Sequence, residues 1–273
     1  MLTLVVDADL LVYEACTSVE RAVEWSPGQF TMHADLDEAK AHIDSRLNKL
    51  VADLGADDAA LALSDYDNPW RKNVLESYKA NRVENRKPMV YWALRQYVTE
   101  TRRVFSKPGL EGDDVVGILF TSPKIIPGDK IMVYEDKDLL QLPGTHLRLC
   151  RMKAGPVENS LFTVSLASAD HWHLMQTLAG DVTDGYTGIP GVGPKKAEKI
   201  LAPFCTTYAT DSNGASELVS FDVAAAWPAV VAAYEKAGLT ADVALQTARI
   251  ARICRASDWN FKTKEVRLWT PLA

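Results

Sequence analysis

Three short apolar runs, each followed by an acid, constrain this chain more than anything else in it. Leu2-Thr3-Leu4-Val5-Val6 ends in Asp7, Ala59 to Leu63 is followed by Ser64-Asp65, and Ile131 to Tyr134 by Glu135-Asp136. Continuous apolar runs of this length mark strands buried on both faces, as in a parallel sheet. Helical patterns lie between them. Leu36, Ala39, Ile43, Leu47, Leu50 and Leu54 recur at helical spacing, with Asp35 placed to cap and Gly55 to stop the helix. A further helix is expected from Pro88 to about Phe105, another from Gly112 to Phe120, and a fourth strand over 147–150. Ser26-Pro27-Gly28 predicts a hairpin within 22–33. Strands alternating with helices predict an α/β fold with a central, mainly parallel sheet flanked by helices. In such sheets ligands bind beyond the carboxyl ends of the strands, so the three acids are delivered to one edge.

After about residue 160 the pattern turns helical. Ser168 is placed to cap a helix ending near Gly180, helices are expected near 194–204, 222–237 and 240–255, and the alternation from Phe261 to Trp269 predicts a returning strand. We expect two intimately packed parts: an α/β core over 1–160, with a basic segment at 66–90, and a helical part over 161–273.

Further acids join the first three. Glu111, Asp113 and Asp114 open a helix, Asp138 follows Asp136 by two, and Asp181 and Asp184 lie three apart. At an effective dielectric of about 20, two unit charges about 4 Å apart repel by roughly 4 kcal/mol. Converging carboxylates therefore need cations or raised pKa values. An all-oxygen ligand set favours Mg²⁺ or Mn²⁺ over zinc, and the number of acids suits two ions. Such a pair stabilises an in-line displacement at phosphorus. The chemistry implied is hydrolysis of a phosphodiester by water, without a protein nucleophile.

The net charge is −6, from 30 basic and 36 acidic residues, which taken alone argues against a nucleic-acid partner. The distribution reverses that reading. Nine of the acids belong to the clusters above, while Arg71 to Lys107 holds ten Lys or Arg against three Glu. Arg71, Lys72, Lys79 and Arg82 lie just past Asp65, where they can draw in a phosphate backbone. After Asp184 comes Gly188-Ile-Pro-Gly191-Val-Gly193-Pro194, too rich in Gly and Pro to be helical. Pro194 suits a first helical position, and Lys195 with Lys196 then leads a helix mouth that favours phosphate. His171-Trp172-His173 reads as structural, because residues two apart do not share a helix face. Cys16, Cys150, Cys205 and Cys254 form no CxxC pair, which fits a reducing cytoplasm, and neither a leader peptide nor a membrane span is expected.

In order, VVDAD (5–9), SDYDNPWRK (64–72), SYKANR (77–82), LEGDD (110–114), EDKD (135–138) and GDVTDGYTGIPGVGPKKAEKI (180–200) resemble the flap endonuclease and 5′→3′ exonuclease superfamily, in particular its phage members. The resemblance implies a PIN/FEN-like core and a helix–three-turn–helix at 174–204, often with a monovalent cation such as K⁺, that holds duplex backbone through Gly188, Gly191, Gly193, Lys195 and Lys196. It implies that Asp7, Asp65, Glu111 and Asp113 serve one metal, that Asp136, Asp138, Asp181 and Asp184 serve a second, and that Asp114 is a further acid of phage members. Lys79 and Arg82 match the basic residues of an arch that takes a 5′ single strand. The expected protein is a monomer in the bacterial host cytoplasm, cutting duplex or flapped DNA and RNA in hybrids, alongside replication proteins. Asp9 departs from the superfamily pattern and is left out of the ligand set.

Two other readings stay open at this level. Asp7-Ala-Asp9 with a late Gly-Asp181 also resembles haloacid-dehalogenase-type phosphatases, with Asp7 as nucleophile and Asp9 as general acid. A non-catalytic helix–hairpin–helix DNA-binding module would use the glycine turn alone.

Overall fold

The computed structural model describes residues 1–81, 86–149, 160–210 and 216–271. Strand β1 (Leu2–Asp7) leads into α1 (Ala8–Val19), an exposed antiparallel hairpin of β2 (Arg21–Ser26) and β3 (Gln29–His33), α2 (Leu36–Asp53) and β4 (Asp58–Ala62). Then come α3 (Tyr91–Thr101), β5 (Val104–Phe105), α4 (Gly112–Thr121), β6 (Asp129–Tyr134), β7 (Gly144–Arg148) and β8 (Leu161–Val164). These form one six-stranded sheet in the order β5-β4-β1-β6-β7-β8, parallel throughout except for β8, which runs antiparallel to β7.

Alternation along β1 sorts its side chains onto two cores. Leu4 and Val6 pack with Leu11, Val12, Ile43, Leu47 and Leu94 of α1, α2 and α3. Val5 packs on the opposite face with Val115 and Leu119 of α4 and with Ile253 and Trp259 from the far end of the chain. Asp35 caps α2 as its position predicts, its Oδ1 accepting from the amides of Asp37 at 2.8 Å and Glu38 at 2.9 Å.

The helical part holds α5 (Leu166–Ala179), the two-residue strands β9 (Gly180–Asp181) and β10 (Tyr186–Thr187), α6 (Pro194–Leu201), a hairpin of β11 (Cys205–Thr210) and β12 (Ser216–Phe221), α7 (Val223–Lys236), α8 (Ala241–Ala251), and the short pair β13 (Trp259–Asn260) and β14 (Glu265–Val266). Leu174, Leu178, Leu201, Val230 and Tyr234 form its core.

Five expectations need correction. The helix expected over 240–255 ends at Ala251, where Arg252 turns to extended backbone (φ −65, ψ 123). The helix begun near Pro88 stops at Thr101, and Val104–Phe105 pairs parallel with β4; β-branched Val104 and aromatic Phe105 are used by the sheet edge rather than by another helical turn. The fourth strand spans Gly144–Arg148, starting earlier than its apolar residues suggest. Ser165, not Ser168, caps α5, its Oγ accepting from the Ser168 amide at 2.9 Å. The returning strand at the end is only the short β13–β14 pair.

Candidate active site

The carboxyl edge of the sheet opens into a cleft of about 380 Å³ lined by Asp7, Asp65, Glu111, Asp113, Asp136 and Asp184, with Lys72 and Lys79 on its wall. Asp7 ends β1, and Asp136 follows β6 by two. Glu111 and Asp113 enter from the start of α4. Asp65 is held by the Gly109 amide, which donates to its Oδ2 at 2.7 Å. Asp138 and Asp181 flank the cleft; Lys137 Nζ bridges them at 2.8 Å each. Asp136 Oδ1 accepts from the Asp138 amide at 3.0 Å.

The cleft is electrostatically uncomfortable. Burial, then Asp9 and Asp136, push the Asp7 carboxyl up to about 7. Burial, then Asp7 and Asp136, push Asp113 well above the carboxylate range. Burial and Asp136 raise Asp138 to about 6 despite its contact with Lys137. Glu111 goes the other way: burial opposes its charge, but Arg71 and Lys79 outweigh it and hold it at about 2. Among the described residues no three acids stand in closed ligand geometry. Ammonium groups link them instead: Lys79 Nζ bonds Glu111 Oε1 and lies 3.4 Å from Asp184 Oδ2, while Lys137 joins the other pair. Carboxylate oxygens without Cys or His, repelling one another in a buried pit, fit hard divalent cations.

Asp181 and Asp184 have different side-chain partners. The turn between them points Asp181 toward Lys137 and Asp184 toward Tyr78, whose hydroxyl donates to Asp184 Oδ2 and Glu111 Oε2 at 3.0 Å each. Two residues sit elsewhere than expected. Arg71 is 2% exposed and its guanidinium is consumed internally by Asp114, Glu111 and the carbonyls of Ile250 and Arg252, so it does not face a phosphate backbone. Asp114 is 0% exposed, and its oxygens accept from Arg71, Trp70 Nε1 and the Cys254 amide, so it does not face the cleft. Burying either charge alone would cost several kcal/mol, so each is kept inside by the other. Arg82 lies outside the described residues.

The glycine turn is built by close backbone approach. A Cβ on Gly188 would lie 2.3 Å from the Leu178 carbonyl oxygen. Gly191 has φ +72, a left-handed conformation glycine adopts without strain. Gly193 occupies the N-cap of α6 and Pro194 its first turn. Lys195 and Lys196 are exposed there, and Lys196 Nζ donates to the Gly191 carbonyl at 2.8 Å. His173 is buried, with Nε2 donating to the Ala248 carbonyl at 2.8 Å, consistent with a structural role.

Sequence reasoning missed three contributors. Arg95 Nη1 binds Asp9 Oδ1 at 2.7 Å, and Asp9 Oδ2 also accepts from the Ser64 amide at 2.7 Å. Gln176, buried on α5, donates to Asp138 Oδ1 at 2.6 Å. Lys137 carried a signal, standing between two of the acids; Arg95 and Gln176 carried none, since their partners are 86 and 38 residues away.

Acids crowded on the rim of an α/β sheet, in a chain that also carries a lysine-led helix mouth, fit a nuclease type of site. The chain belongs to the 5′–3′ exonuclease family: its residues 3–166 match the model of the 5′-3′ exonuclease N-terminal resolvase-like domain. It is 32% identical over 289 aligned positions to the exonuclease of Escherichia phage T7, covering 98% of this chain and 93% of that protein. It is 31% identical to the exodeoxyribonuclease of Enterobacteria phage T3, covering 98% and 92%. Its fold is similar to that of the bacteriophage T5 flap endonuclease in a pseudo-enzyme-product complex with DNA and metal ions, with a TM-score of 0.55 at 14% identity over 75% of each chain. Among the described residues no helix is long and apolar enough to cross a membrane.

Proposed function

We propose that this protein is a divalent-cation-dependent 5′→3′ exonuclease and flap endonuclease that hydrolyses DNA phosphodiesters. The observation that carries the reading is the convergence of Asp7, Asp65, Glu111, Asp113, Asp136 and Asp184 on one cleft at the carboxyl edge of the sheet. The full-length match to phage exonucleases supports it, and the T5 relative captured with DNA and metal ions supports DNA and metal as its ligands.

Asp7, Asp65, Glu111 and Asp113 would hold one Mg²⁺ or Mn²⁺, and Asp136, Asp138, Asp181 and Asp184 a second. Bound there, the ions supply positive charge for the attacking and leaving oxygens of an in-line displacement. The chain's own groups do the rest. Lys79 is poised between Glu111 and Asp184 to exchange carboxylate contacts for a phosphate oxygen. Gln176 and the Asp138 amide hold Asp138 and Asp136 in place from behind. Lys72 on the cleft wall offers a further phosphate contact. The turn at 188–193, with Lys195 and Lys196, grips duplex backbone about a monovalent cation such as K⁺. Residues 1–160, together with β8 (Leu161–Val164) of the same sheet, act as nuclease core and the rest up to 273 as DNA-holding part; RNA in hybrids is a further substrate of the same cleft.

A phosphatase of the haloacid dehalogenase type needs Asp9 as a mobile proton donor, whereas here Arg95 and the Ser64 amide pin it. The test uses 5′- and 3′-labelled duplex, flap and RNA–DNA substrates with Mg²⁺ or with EDTA. Stepwise loss from the 5′ end or flap cutting with Mg²⁺ alone is the expected result; cleavage unaffected by EDTA, or none on any substrate, sinks the reading.

A further inference from the structure

A second cavity, of about 690 Å³, lies in the helical part and shares no lining residue with the acidic cleft. Arg252, Arg255 and Arg267 line it, together with Asp170, Asp258 and the first turn of α7. Its guanidiniums outnumber its carboxylates by three to two.

The two inner arginines are already deep. Arg252 is 6% exposed and Arg255 9%. Arg252 Nε donates to Asp258 Oδ2 at 3.0 Å, and Arg255 Nη2 reaches Asp170 Oδ1 at 2.8 Å and the Gln141 carbonyl at 2.7 Å. Arg255 Nε is buried with no acceptor among the described residues. Burial and the neighbouring Arg252 press the Arg255 guanidinium down to about 10, and burial with both arginines pushes His173 on the same wall well below its usual value. Asp258 and Asp170 pair the two buried arginines, so the excess positive charge is that of Arg267 at the rim, while the buried Arg255 Nε donor is left without an acceptor, which costs free energy unless another one joins it.

The backbone adds to this. α7 spans 14 residues, and its cap Asp222 accepts from the Ala225 amide, leaving the amides of Val223 and Ala224 at the cavity for another acceptor. The N-terminus of a helix of this length favours negative charge. Arg267 stands exposed at the rim, where an incoming anion meets it first.

We propose that this cavity is a phosphate-binding site, separate from the cleft, in which Arg255 and Arg252 at the base, Arg267 at the rim and the first turn of α7 take the oxygens of one phosphate group. The group comes either from a nucleic-acid backbone or from a free 5′-mononucleotide. The site is tied to the cleft wall, because the Arg252 carbonyl accepts from Arg71 Nη2 at 2.6 Å, and Arg71 binds Glu111.

The test measures thermal stability of the full chain in EDTA against orthophosphate, 5′-deoxyadenylate and an unlabelled DNA duplex in turn. Arg267→Ala removes a rim charge without touching the buried pairs. Ala224→Asp places a carboxylate where the anion would sit, at a helix position that tolerates it, so it keeps the fold. Lys195→Ala with Lys196→Ala is the control for phosphate held at the other helix mouth. A saturable rise in melting temperature is expected, with its midpoint moved about tenfold higher by either cavity variant; the lysine pair leaves the orthophosphate and deoxyadenylate midpoints in place and shifts only the duplex one, where it holds backbone itself. If the cavity variants weaken the duplex response, the backbone is the source; if they weaken the deoxyadenylate response, the free nucleotide is. No saturable rise with any of the three, or midpoints that the cavity variants leave unchanged, overturns the proposal.

Discussion

Arg71 and Asp114 face each other in two parallel contacts, Nη1 to Oδ2 at 2.7 Å and Nη2 to Oδ1 at 2.9 Å, at the centre of the protein. The pair locks the segment after β4 to α4 and, through the Cys254 amide at 3.0 Å, to the far end of the chain. Glu111, on the cleft, shares the same guanidinium.

Breaking this pair should be a stability defect before it is a binding defect. Arg71→Ala leaves the Asp114 charge buried and unpaired, which costs about 3–5 kcal/mol. Arg71→Lys should recover little, since an ammonium cannot reproduce the fork. Urea denaturation measures both. A variant as stable as the parent but weaker in DNA binding would restore Arg71 to the interface.

Asp136→Asn or Asp181→Asn should lower turnover by about two orders of magnitude or more while folding and DNA binding survive, because each would lose a carboxylate proposed to hold a divalent cation against the developing charge. Single-turnover cleavage alongside a gel-shift titration measures the two effects. Ca²⁺ should permit binding without brisk cleavage, given its looser coordination. Undiminished turnover in both variants removes these acids from the chemistry.

Gln176→Met should act through Asp138. Loss of the 2.6 Å contact frees that carboxylate to turn away, so the metal concentration for half-maximal activity should rise about 10- to 100-fold while turnover at saturating metal largely returns. A turnover defect that excess metal does not repair would show that Gln176 does not work by holding Asp138.

Acid should weaken the fold through His146. Its Nε2 donates to the Leu142 carbonyl at 2.8 Å and its Nδ1 accepts from Tyr134 at 2.7 Å, so the neutral ring is the one that fits. Burial pushes it down to about 4. The folded state therefore binds fewer protons than the unfolded one, and this stabilisation is whole above about pH 6.5 and lost as pH falls toward 4, about 3 kcal/mol in all. Denaturation as a function of pH should show a shallower slope across that window in His146→Leu, whatever its absolute stability. Identical slopes would refute the assignment.

Much of the fold was legible because its signals are local. The runs ending at Asp7 and Asp65 lie within one or two residues of observed strands, and Asp35 caps the helix its position predicts. The segment after Thr101 was misread because Val104 and Phe105 are compatible with either a helix end or a strand, and only the exposed edge of β4 selects the strand. The gathering of acids at one rim was also readable, since successive parallel strands place their carboxyl ends together.

The sequence by itself determined the α/β order, the acids at the strand ends and the glycine turn leading a lysine helix, because periodicity, capping and turn chemistry act over a few residues. Tertiary structure alone decided that Arg71 and Asp114 turn inward to each other, that Asp181 and Asp184 part toward different lysines, and that Arg252 and Arg255 share a second cavity. Whether a charge is solvated or buried depends on which distant segment closes over it, and Arg71 is covered by carbonyls 179 and 181 residues further along the chain.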